Sequence, residues 1–139
     1  MLLENFNLYG PNSGVELSAF GRTWDLHNEF HFEGMRFEAG PDELVLSWRP
    51  SEYSRDPGVR GCRLRFRGVT SLEMTGRDGA YPSSESSCLE TIDKVTPGER
   101  EYPLREEWLP DQPFEIEITF HDERRVRIGA QSAVFEIER

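Results

Sequence analysis

The run Trp24-Asp25-Leu26-His27-Asn28-Glu29-Phe30-His31-Phe32 gathers two imidazoles and two carboxylates into one short stretch. Side chains of an extended strand alternate between faces. Asp25, His27, Glu29 and His31 therefore share one face, while Trp24, Leu26, Phe30 and Phe32 take the other. Alternate residues on a face stand about 7 Å apart, and imidazoles at that spacing converge on an ion when a neighbouring strand adds a ligand. His121, beside Asp122 and Glu123, is the remaining histidine. The candidate metal set is thus His27, Glu29, His31 and His121, suited to a divalent ion. The same strip offers a base, His27 or His31, with Asp25 or Glu29 to orient it, but no nucleophile accompanies the pair. The plainer alternative is that any half-exposed strand alternates in this way.

Two further groups carry charge in a pattern. Arg63, Arg65 and Arg67 alternate on one strand face, and three planar guanidinium forks make a candidate anion site for phosphate or carboxylate. The competing reading pairs them with Glu115 and Glu117 or another acidic strand, since like charges at neighbouring positions repel. Trp108, with Glu106, Glu107 and Asp111 around it, is a candidate contact surface for a basic protein partner. Lys94 is the single lysine and has no neighbour in sequence to lower its pKa. Cys62 and Cys88 are too few for a disulfide scaffold or a four-cysteine knuckle, and both are expected to be free thiols. A Cys62–Cys88 bridge stays open for an exported protein. The serine nucleophile elbow, phosphate-binding glycine loops, the zinc-protease helix motif and the calcium-loop spacing have no match, so no catalytic residue is assigned.

These residues must be held by strands. Phe114-Glu-Ile-Glu-Ile-Thr-Phe120 alternates without a break, and Leu44/Leu46/Trp48, Cys62/Leu64/Phe66, Val126/Ile128/Ala130 and Phe135/Ile137 repeat the pattern between Gly, Pro, Asp and Ser clusters. Weaker strands are read at Val15–Phe20, Ser71–Thr75 and Cys88–Val95. Helical periodicity is confined to Leu104–Leu109, between Pro103 and Pro110. With 139 residues, the chain is expected to be a single all-β domain over 1–139. Its architecture is expected to be an antiparallel β-sandwich or partly open barrel of about 7–9 strands with at most one short helix.

Phase arithmetic adds detail. Phe30 and Phe32 are even, Met35 and Phe37 odd, which predicts a bulge at Glu33-Gly34. Placing Ile116/Ile118 and Val126/Ile128 on one face requires an odd loop, three or five residues, around His121–Arg124. Joining Val126/Ile128 to Phe135/Ile137 predicts a hairpin turn at Gln131-Ser132, with Arg127 opposite Glu136 and Arg125 opposite Glu138. Pro50–Gly61 and Arg77–Ser87 read as long surface loops.

The net charge of -10 and pI near 4.8 disfavour binding to phosphate backbones and favour a basic protein partner. No nucleic acid and no membrane are expected. Met1-Leu2-Leu3-Glu4 turns acidic before a signal-peptide stretch forms, which points to the cytoplasm. Trp24-Asp25-Leu26-His27 before a long strand, Leu44-Val-Leu-Ser-Trp48, Leu64-Arg-Phe-Arg-Gly-Val69 and the closing meander Phe114–Phe120, Val126–Ala130, Val134–Ile137 together resemble small bacterial all-β proteins of unknown function, among them immunity proteins of toxin–antitoxin loci. That resemblance implies a bacterial, cytoplasmic, non-enzymatic protein that neutralises a partner. The functional expectation is a non-catalytic protein-binding domain without a resident cofactor. Its alternatives are a small metal- or ligand-binding barrel, enzymatic or not, centred on His27/His31, and a homodimer or larger homo-oligomer built through edge strands.

Overall fold

The computed structural model describes residues 1–8, 14–38, 40–76, 79–80, 87–95, 97 and 113–139. It is all-β. Among the described residues ten strands follow one another: β1 (Leu2–Leu3), β2 (Phe6–Leu8), β3 (Glu16–Ala19), β4 (Arg22–Asp25), β5 (Phe30–Phe37), β6 (Glu43–Pro50), β7 (Gly61–Met74), β8 (Leu89–Val95), β9 (Glu115–Phe120) and β10 (Arg125–Glu138). This exceeds the expected seven to nine because the N-terminal segment contributes short strands with too few residues to show a period. The helix expected at Leu104–Leu109 lies outside the described residues, as does most of the Arg77–Ser87 loop. No helix among the described residues is long and apolar enough to cross a membrane.

The large sheet runs β5-β6-β7-β10-β9-β8 in antiparallel pairs, with β1 added parallel to β10. A small sheet, β2-β3-β4, is made of two antiparallel pairs. Its second pair turns through Phe20 and Gly21, whose φ angles of 53° and 75° match a two-residue turn of the primed type. The two longest strands, β7 and β10, form the spine. β6 and β5 extend the sheet from the first half of β7, and β9 and β8 extend it from the first half of β10. The sheet curls until Phe32 of β5 meets Phe120 of β9, ring centroids 4.7 Å apart. Its ends, β5 and β8, are not hydrogen-bonded to each other, so the curl stays open along one seam.

Alternation builds the core. Ile116, Ile118, Phe120, Leu64, Phe66, Leu44, Leu46 and Trp48 are all buried, together with Leu17 and Trp24 from the small sheet, in one continuous cluster. Cys62 joins it as a small apolar group, and burial pushes its thiol pKa up.

The bulge at Glu33-Gly34 is present. The β5/β6 register slips between Phe32, opposite Trp48, and Gly34, opposite Ser47. Gly34 has φ of 155°, a conformation open to glycine, with no atom near where a Cβ would sit. The β9–β10 connection likewise has the odd length expected. Phe120 N–H donates to Arg124 C=O at 2.9 Å, leaving His121, Asp122 and Glu123 as a three-residue loop. Glu123 takes the left-handed position that closes such hairpins, φ 65°.

The expected hairpin at Gln131-Ser132 is not formed. β10 runs unbroken from Arg125 to Glu138 along β7, and the register slips once, at Gly129/Ala130. Val126 and Ile128 are buried before the slip, Ala133 and Phe135 after it. A parity change of this kind arises from a turn or from a bulge, and here the bulge serves. The charge ladder changes with it: Arg127 faces Glu117 and Glu73, while Glu136 faces Arg63. Gly68 sits at this irregularity with φ of 62°, and a Cβ there would lie 2.6 Å from the Gln131 side chain. Gly68→Ala is therefore expected to lower stability by about 1–2 kcal/mol, read as a drop in thermal unfolding midpoint.

Candidate metal centre

The strand assumed through residues 24–32 is broken, and the break creates the site. β4 ends at Asp25 and β5 begins at Phe30, with a tight turn between them. Asp25 makes that turn: its Oδ1 accepts from the N–H groups of His27 (3.0 Å) and Asn28 (2.9 Å), and its Oδ2 accepts from Asn28 Nδ2 (2.8 Å). An aspartate that captures N–H groups two and three residues on competes successfully with strand pairing. Asp25 thus positions His27 through the backbone instead of sharing a strand face with it.

Glu29, read as a metal ligand, is committed elsewhere. It is a buried carboxylate, 2% exposed, that accepts from Arg55 Nε (2.9 Å) and Nη2 (3.0 Å) and from the backbone N–H groups of Arg55 and Asp25, both at 3.1 Å. Arg22 lies 3.5 Å away. Burial works against its charge, but the Arg55 hydrogen bonds with the two backbone donors outweigh it and hold the carboxyl down at about 2. His31, on β5 opposite Arg49, lies 3.6 Å from Glu52. The structure brings neither residue to the metal site.

His27 and His121 do come together, their rings stacked with centroids 5.0 Å apart. Beside them stands Cys88, immediately before β8, with Sγ 3.6 Å from His27 Nδ1. One ligating atom from each of His27, Cys88 and His121 lies within 4.8 Å of the other two, and all three residues are half-buried. Among the described residues this is the one group of three histidine, cysteine or acidic side chains with that geometry. Backbone bonds fix two of the three parts: His121 N–H donates to Cys88 C=O (3.0 Å), and Glu123 N–H to Phe120 C=O (2.9 Å). The His27 ring is fixed by its own Nδ1, which donates to the Leu89 carbonyl at 2.6 Å. A carbonyl only accepts, so in the neutral ring the proton sits on Nδ1 and the free lone pair on Nε2. A histidine whose second nitrogen is held by a backbone carbonyl is the usual arrangement for a metal ligand.

Cys88 was invisible as a ligand in sequence. It stands beside a serine-rich stretch without periodicity, and its neighbour His27 is 61 residues away. Neither cysteine is in a disulfide, so the Cys62–Cys88 bridge is not made.

The arginine stripe is spent on internal pairs. Arg65 donates to Glu136 (2.9 Å), Glu38 (2.6 Å) and Glu43, Arg63 to Glu138 (3.0 Å), and Arg67 to Glu4 (3.4 Å). Acidic side chains of β6, β10 and the segments beside β1 and β5 neutralise it, rather than Glu115 and Glu117. Those pairings leave Arg65 only 14% exposed. The geometry favours a structural role over the anion site. Glu106, Glu107, Trp108 and Asp111 lie outside the described residues.

Comparison with known proteins found no match to a protein family, to a curated protein or to a solved structure.

Proposed function

We propose that this protein is a binding module that takes one transition-metal ion through His27, Cys88 and His121. The observation that carries this reading is the mutual approach of three ligating atoms within 4.8 Å. One thiolate and two imidazoles form a borderline-to-soft donor set, which selects zinc or copper over magnesium or calcium. A cysteine–histidine nucleophile is the weaker use of the same residues. The Leu89 carbonyl keeps a proton on the nitrogen nearest Sγ, where a general base would need its lone pair.

The test is native mass spectrometry of untagged protein from metal-replete culture, beside the Cys88→Ser variant. The wild type is expected to carry one ion, and the variant to bind the same metal roughly 100-fold more weakly or not at all. Equal metal content in the two proteins overturns the proposal.

A second reading is engagement of a basic protein partner. It is favoured by the consumption of Arg22, Arg55, Arg63, Arg65, Arg67 and Arg127 in internal pairs, which leaves the carboxylates in excess of arginine to set the surface field. Association with such a partner is expected to weaken steeply with added salt. Salt-independent binding argues against it.

A further inference from the structure

The three ligand residues lie on three separate connections that meet at the open seam of the curled sheet. His27 is on the β4–β5 turn, at the β5 end of the sheet. Cys88 immediately precedes β8, at the opposite end, and His121 is on the β9–β10 loop beside it. Strand pairing stops at this seam, since β5 and β8 share no ladder. Polar links reach across it. His27 Nδ1 bonds Leu89 C=O, and Ile92 N–H reaches Gly14 C=O at 2.5 Å. An aromatic contact, Phe32 on Phe120, lies beneath.

Resting on the metal-binding reading above, we infer that the ion is a clasp, of the zinc(II) class, that fastens the two ends of the sheet to each other. A tetrahedral zinc ion with nitrogen and sulfur ligands places neighbouring donor atoms about 3.4–3.6 Å apart. One ligating atom of each residue already falls within 4.8 Å of the other two. Closing the set onto an ion therefore takes a movement of about 1 Å, well within the reach of side-chain rotation and small turn adjustments. The turn that carries His27 is the stiff member. Asp25 ties its N–H groups, Glu29 ties it to Arg55, and Ser51 N–H donates to Glu29 C=O at 2.8 Å. Force from the ion is thus transmitted to β5 rather than absorbed locally. The other two ligands are joined through His121 N–H to Cys88 C=O, so they move as one unit with β8 and β9.

The experiment is backbone hydrogen exchange of the full chain, stripped of metal and then titrated with zinc chloride, with zinc stoichiometry read on the same samples by native mass spectrometry. One zinc is expected to bind, and exchange of the amides of residues 26–29 and 89–92 is expected to slow by roughly tenfold or more. Leu46 and Leu64, in the middle of the β6–β7 ladder, are expected to change less. Zinc bound at one equivalent with unchanged exchange at the seam overturns the clasp and leaves the metal-binding reading standing. No zinc bound overturns both. Cys88→Ser and His121→Asn are each expected to retain the exchange pattern of the metal-free wild type and to gain no protection from zinc. Protection gained by either variant at the same zinc concentration also overturns the assignment.

Discussion

Phe135→Ala is expected to destabilise the protein by about 3–5 kcal/mol, the range for emptying a fully buried aromatic site that cannot collapse. Phe135 has no exposed surface, and its ring sits against three others: Trp24 at 5.7 Å between centroids, Phe20 at 6.2 Å and Phe6 at 6.4 Å. Those partners belong to the small sheet and its turn, while Phe135 belongs to the central strand of the large one. The ring is therefore the principal apolar joint between the two sheets. Its backbone is also held from the same side, since Asn5 Nδ2 donates to Phe135 C=O (2.8 Å) and Phe135 N–H donates to Asn5 Oδ1 (2.9 Å). The Asn5 amide thereby continues, with a side chain, the parallel pairing that β1 begins at Ser132 and Ala133. Relaxation into the cavity would pull against those bonds, which places the expected loss toward the upper end. Urea unfolding measures it. A loss below about 1 kcal/mol would mean that the small sheet is not anchored through this ring.

How much of this was legible beforehand depends on whether the controlling contact is local. Phe114–Phe120 could be read directly, because a half-buried strand writes its burial into every second residue. Gly34 and the three-residue loop at His121 were also accessible, since both follow from parity and one permissive glycine. The long strand β10 was not. Parity alone does not distinguish a turn at Gln131-Ser132 from a bulge at Gly129/Ala130, and the deciding partner is β7, some 60 residues away. The site failed in a more instructive way. Asp25-Leu26-His27-Asn28 continues an alternating pattern, yet Asp25 followed by Asn28 is also a turn signature, and in the folded chain the turn prevails. Two of the four histidine and carboxylate candidates therefore converge, and the sulfur beside them comes from a residue with no local signal. Glu29 and Asp25 retain importance by another route, as the groups that shape the turn on which His27 stands.

That role gives the second large effect. Glu29→Ala is expected to cost about 3 kcal/mol, because it strips a buried hub and leaves the N–H groups of Asp25 and Arg55 without their acceptor. Glu29→Gln keeps the shape and an acceptor oxygen but loses the charge, so the difference between the two variants separates the ionic from the packing part. Metal-free protein provides the clean background, since His27 lies on the same turn. The pH dependence follows from the sign of the shift. The folded carboxyl is held near 2, below its ordinary 4.5, so its contribution is whole above about pH 4.5 and is lost as the pH falls through 2. Denaturant midpoints measured from about pH 5 down to about pH 2 are therefore expected to fall less steeply in Glu29→Gln than in the wild type. Parallel slopes would show that Arg22 and Arg55 stabilise Glu29 no better in the folded chain than water does in the unfolded one. Arg55, 64% exposed at its side chain, would then be a surface partner of little consequence. A reduced slope instead identifies this carboxylate as the fixed point from which the β4–β5 turn, and with it His27, is aimed at the seam.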